Sequence, residues 1–140
     1  MTRENKELFL KDICTRFPYG IKVQIKYYDD VWKLQAIYTD GTAFVARDIE
    51  NHIEIYLEDC KPYLFPLSSM TEEQREELYK IGWYLDEDKI YSCFRNYDDV
   101  NYKTHNDCFE LINWCYKNNF DINGLIPMGL ANDATGKNIY

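Results

Sequence analysis

Cys60-Lys61-Pro62-Tyr63-Leu64-Phe65-Pro66-Leu67-Ser68-Ser69-Met70-Thr71-Glu72-Glu73-Gln74 is the stretch on which the reading of the fold turns. Before it, apolar residues recur at every second position; after it, they recur at helical spacing. Its two prolines frame an apolar run. Tyr63 to Leu67 therefore reads as a short edge or closing strand, because proline removes a ladder donor that a central strand needs. Thr71, with Gln74 three residues on, has the spacing of a capping box and predicts a helix start. Glu72, Glu73, Glu76 and Glu77 crowd the first turns, where negative charge complements the helix dipole. Leu78 and Ile81 supply an inward side, and Gly82 is a natural stop.

Working back towards the N-terminus, Ile53, Ile55 and Leu57 alternate with Glu54 and Glu58, the period of a strand with one wet face. Thr42 to Arg47 and Val31 to Thr39 read as two more strands, joined at Asp40-Gly41 by a predicted two-residue hairpin turn. Ile21, Val23, Ile25 and Tyr27 alternate with Lys22, Gln24 and Lys26 and make the first strand, closed by Asp29-Asp30. Glu4 to Arg16 is a predicted helix with Leu8, Phe9, Ile13 and Cys14 as its apolar stripe and Asp12 largely off it. Pro18 and Gly20 end it.

Working forward, Asp86-Glu87-Asp88 is a turn and Ile90 to Phe94 a short strand. Thr104 to Asn119 is a second strong helix pattern, with Cys108, Leu111, Ile112, Cys115 and Tyr116 along one side. The segment from Phe120 to Leu130 is too apolar to hang free and is expected to pack back on the fold. Residues from about 132 to 140 are expected to fray. The predicted class is α+β: one domain over residues 1–140, built as an antiparallel meander of about four strands. An N-terminal helix and two later helices are expected to pack on one face.

The chain has 140 residues, 46% hydrophobic, and a formal net charge of −8. That balance makes free nucleic acid a poor partner, since neutralising phosphates takes clustered Lys and Arg. An acidic chain can still meet a basic protein surface or mimic nucleic acid, but solubility is the plainer reading of the charge. No secretory signal is visible and no apolar run approaches the roughly 18 residues that span a bilayer. Five cysteines, odd in number and with no Cys-x-x-Cys, fit a reducing, cytoplasmic setting with mostly buried thiols.

Candidate chemistry is sparse. His105 and Cys108 have a spacing zinc favours, but Cys108 and Cys115 stand about 10.5 Å apart along an ideal helix and cannot share an ion. Cys93 with His105 or His52 would need to meet in space to act as a nucleophile pair. The acidic pairs Glu58-Asp59, Asp86-Glu87-Asp88 and Asp98-Asp99 read as solvated turns, and no glycine-rich phosphate cradle is present. No metal and no cofactor are expected.

The aromatic load is unusual: 13 Tyr, 7 Phe and 3 Trp, 16% of the chain. Tyr27, Tyr28, Trp32, Tyr38 and Tyr56 fall on predicted strands, where one sheet face would become an aromatic platform. Tyr27, Trp32, Tyr38 and Tyr56, together with Arg47, are the candidate ligand- or partner-binding residues.

Pro18-Tyr19-Gly20-Ile21-Lys22-Val23, the Cys60 to Thr71 block, and Gly124-Leu125-Ile126-Pro127-Met128-Gly129-Leu130-Ala131 resemble segments of a family of small proteins from gut anaerobes and their prophages and mobile elements. The resemblance implies an accessory protein of phage or mobile-element origin and brings no activity, cofactor or site residue. The functional expectation is a non-enzymatic protein that works by protein–protein contact, with homo-oligomers among its options. An alternative is a small-molecule or nucleotide-sequestering module, in which Lys22, Lys26, Lys33 and Arg47 would have to face a cavity. A further alternative is a small enzyme built on Cys93, His105 or a carboxylate cluster.

Overall fold

The computed structural model describes residues 1–93 and 105–140, with no side-chain description for residues 105–107. Helix α1 (Arg3–Arg16) is capped by Thr2, whose hydroxyl accepts from the Asn5 amide. Four strands then run as a meander: β1 (Lys22–Ile25), β2 (Val31–Ile37), β3 (Thr42–Ala46) and β4 (His52–Tyr56). β5 (Cys60–Leu64) returns to the open side of β1, and β8 (Asn132–Asp133) adds a parallel rung to β5. Strand order is β4-β3-β2-β1-β5-β8. The sheet therefore has six strands and is mixed, where about four antiparallel ones were expected. The extra pair comes from β5 and from the tail.

The alternation in the sequence places Val23, Ile25, Trp32, Leu34, Ala43 and Val45 on one face of the sheet. Phe9 and Ile13 of α1 close this core from above, and Leu125, Leu130 and Ala131 fill its end. Helices α2 (Glu72–Lys80) and α3 (His105–Lys117) do something else. Leu78, Leu85, Cys115 and Phe120 centre a second cluster with the hairpin β6 (Trp83–Asp86) and β7 (Lys89–Ser92). The two later helices thus build an annex beside the sheet and leave the cover of its core face to α1.

Three local outcomes follow from backbone chemistry. The capping box at Thr71 forms in both directions, Gln74 N–H to Thr71 Oγ1 at 3.2 Å and Thr71 N–H to Gln74 Oε1 at 2.9 Å. The β2–β3 connection is a three-residue loop, Thr39 to Gly41, closed by Tyr38 N–H to Thr42 O. Only Gly41 takes positive φ there (+90°), so a turn ending in a left-handed glycine replaces the expected two-residue turn, which needs two such residues. Pro62 lies inside β5, not at its flank. The Lys26–Asp59 and Ala134–Leu64 backbone bonds show that even-numbered residues of β5 turn their amides towards β8. Pairing with β8 begins only at Tyr63, so the donor that proline lacks has no partner to lose.

The tail does not fray. Tyr140 inserts its hydroxyl where the next β1–β5 rung would form: it accepts from Lys22 N–H (3.2 Å) and donates to Tyr63 O (2.8 Å). Lys22 Nζ donates to Ile139 O at 2.7 Å. Burial pushes the Tyr140 hydroxyl above its ordinary pKa, against the opposing pull of the Lys22 amide hydrogen bond.

Asp12, read as a surface residue, is fully buried, as is Arg16. Arg16 grips the Asp12 carboxylate through Nε and Nη2 and donates from Nη2 to Phe120 O at 2.8 Å. Its guanidinium lies 4.7 Å over the Tyr116 ring, and Asn123 Nδ2 donates to Asp12 Oδ2 at 2.7 Å. This network ties α1 to α3 and to the segment after it. Cys14, assigned to the apolar stripe, is exposed instead.

Candidate interaction surface

The outer face of the sheet is set by the same alternation that builds the core. Lys22, Lys33, Ala36, Phe44, Ala46, His52 and Glu54 stand on the side opposite Val23, Leu34 and Val45, in register across β1 to β4. Phe44 and His52 stack at 5.1 Å between ring centres. A bulge between Leu34 and Ala36 adds one residue to β2, and this puts Ala36 opposite Phe44.

Among the described residues, β4 is an edge strand of this sheet with no strand paired on its outer side. Its backbone parity can be read from two flanking bonds, Leu57 N–H to Gly41 O and Arg47 N–H to Asn51 O. Both couple odd residues of the β4 side to odd residues of the β3 side, so Ile53 and Ile55 spend their amides on β3. His52, Glu54 and Tyr56 point theirs outwards. Ile53 and Ile55 are half-buried at the rim of the core; His52, Glu54 and Tyr56 are exposed, and Ile49 in the preceding loop is 95% exposed. No proline or inward charge interrupts the edge.

The loop before β4 is held open by its own bonds. The Asp48 carboxylate accepts from the Glu50 and Asn51 amides and from Asn51 Nδ2, and these hydrogen bonds, that from the Asn51 side chain foremost, hold it below the usual carboxylate pKa. Arg47 donates to Asp30 at 2.8 Å, and that bond raises its own pKa. From Asp48 to Asp59 there are five carboxylates (Asp48, Glu50, Glu54, Glu58, Asp59) and no Lys or Arg. Glu58 reaches Lys6 of α1 at 3.2 Å. Glu50 and Glu54 have no ion pair among the described residues.

The aromatic platform does not form as expected. Trp32 is 4% exposed and belongs to the core face, with Tyr28 edge-on to it at 5.7 Å and the Arg47 guanidinium 5.8 Å over its ring. Arg47 and Trp32 are thus brought together at the rim of the core, with Trp32 buried and Arg47 and Tyr28 exposed over it. Tyr27 sits in the β1–β2 turn at φ +73° and is 90% exposed. Tyr38 and Tyr56 flank Thr42 in one cross-strand row, and both are exposed. Alternation alone missed Phe44 and His52, whose placement required the β2 bulge and the β3–β4 register.

Of the cations proposed to face a cavity, Lys26 does so. It lines a groove of about 490 Å³ with Tyr27, Tyr28 and Lys61, but Asp29, Glu58 and Asp59 line it too. Those three carboxylates oppose a phosphate there. Lys22 is engaged by the tail, and Arg47 by Asp30 and Asp48.

For covalent chemistry, burial pushes the Cys60 and Cys115 thiols up to about 12, which leaves them protonated and poorly nucleophilic. His52 lies on the outer sheet face, whereas Cys93 follows β7 in the annex. The Cys93–His105 pairing and Asp98-Asp99 lie outside the described side chains. Among the described residues no group of three or more His, Cys, Asp or Glu is placed to hold a metal, and no helix is long and apolar enough to cross a membrane. No protein-family model, curated protein or solved structure matches this chain.

Proposed function

We propose that this protein is a binding module that takes up an extended segment of a protein partner along β4, acting as an accessory factor of the mobile-element kind its sequence resembles. The observation that carries the reading is the row of outward backbone groups at His52, Glu54 and Tyr56, flanked by exposed Ile49. Strand addition uses such a row directly: main-chain hydrogen bonds give affinity and alternate side chains give selectivity. The half-buried Ile53 and Ile55 offer the added strand an apolar rim to extend. The mixed-charge groove at Tyr27 supports a small-ligand reading less well, because its carboxylates outnumber its lysines.

Capture from host lysate tests the proposal when wild type is compared with Glu54→Pro. Proline there removes only an outward N–H, so the β3–β4 ladder keeps its donors. The proposal expects a partner retained by wild type and by Lys33→Gln and lost with Glu54→Pro. A partner retained equally by all three proteins overturns it.

A further inference from the structure

Resting on that reading, the geometry points to the chemistry of the partner segment: we infer that β4 accepts a strand that alternates apolar and basic residues. Two observations, independent of each other, fix the two halves of the alternation. Beneath the edge, Ile53 and Ile55 are half-buried on the core side, so a strand laid alongside must present apolar side chains to that side. On the outer side, the residues beside the new strand are His52, Glu54 and Tyr56. They lie within the twelve-residue run from Asp48 to Asp59, which holds five carboxylates, one histidine (His52) and no Lys or Arg. Opposite charges directly across a pair of strands attract, and like charges repel.

The same arithmetic disfavours a second copy of this chain as the occupant. An antiparallel pairing of β4 with itself that engages all three free residues sets His52 opposite Tyr56 and Glu54 opposite Glu54. The pairing would also bring the acidic residues that flank each β4 towards those of its partner strand. A basic strand meets neither difficulty. It would place Lys or Arg beside Glu54 and, two rungs further along and past His52, near Glu50 in the preceding loop; both glutamates lack an ion pair among the described residues.

The test uses full-length protein and labelled nine-residue peptides: one alternating Val with Lys and Arg, one with Glu in the basic positions, and one basic peptide with a central Pro. Fluorescence anisotropy gives the affinities, and amide exchange at His52, Glu54 and Tyr56 locates the site. The expected result is binding of the basic peptide with new protection at those three amides, about tenfold weaker binding in Glu54→Lys, and no binding of the proline peptide. The Glu54→Lys protein should in turn gain affinity for the acidic peptide. Equal binding of basic and acidic peptides at β4 overturns the inferred chemistry and leaves strand addition standing. No protection by any peptide at an edge that exchanges freely overturns both. A dimer in sedimentation with those amides protected in the free protein overturns the choice of occupant.

Discussion

Replacing Arg16 by methionine should destabilise the protein severely. The substitution keeps most of the side-chain volume and removes the charge. Asp12, with no exposure to solvent, would then retain Asn123 as a donor but lose the guanidinium, and the Phe120 carbonyl would lose its side-chain donor. Breaking a buried ion pair on one side costs about 3–5 kcal/mol, because the remaining charge stays buried. Domains are typically stable by only about 5–15 kcal/mol, so the loss is a large share of the total. For a chain of this size it corresponds to about 10–15 °C in Tm. Urea titration and thermal melts followed by circular dichroism measure it. The companion is Asp12→Leu with Arg16→Met, which removes both charges and should recover most of the loss, to within about 2 kcal/mol of wild type. A single variant within about 1 kcal/mol of wild type, or a double variant no better than the single, would refute the reasoning.

Thr71→Ala removes one half of the capping box on α2 and should cost about 1 kcal/mol in denaturant titrations, with amide exchange rising first at Gln74. Tyr140→Phe takes away the hydroxyl that bridges Lys22 and Tyr63; exchange of the Lys22 amide should accelerate and stability fall by about 1–2 kcal/mol. With a thiol reagent near pH 8, Cys14 and Cys108 should react at once, while Cys60 and Cys115 wait for unfolding. The folded thiols at 60 and 115 titrate near 12, above the ordinary value of 9.0. Their contribution to stability is therefore complete below about pH 9 and is lost as the pH climbs from 9 towards 12, which melts across that window will show.

Much of the fold was legible because it rests on local signals. The Thr71 cap, the Gly82 stop and the alternation in β1, β3 and β4 each depend on a few neighbouring residues, and each appears where those residues place it. What escaped reading depends on contacts far apart in sequence. Asp12 and Arg16 look like an exposed helical pair until Phe120 and Asn123 close over them. The tail looked frayed because nothing near it announces that Tyr140 will reach Lys22 and Tyr63. Trp32 and Tyr38 seemed to share a face because the bulge after Leu34 shifts the parity of β2 midway, and no residue type marks a bulge there. Residues of three separate sequence blocks meet in one place: Ile21 and Val23, Cys60 and Leu64, and Leu125 with Leu130 all line the main core. The proposed interaction surface along β4 lies outside them.

Residue-resolved amide exchange along β4 tests the central claim most directly. The account predicts that, in the free protein, Ile53 and Ile55 are protected by β3 while His52, Glu54 and Tyr56 exchange at nearly open-chain rates. Addition of the basic, apolar-alternating strand should then protect those three. Uniform protection of all five amides in the free protein, or free exchange at His52, Glu54 and Tyr56 in the presence of saturating strand, would contradict it.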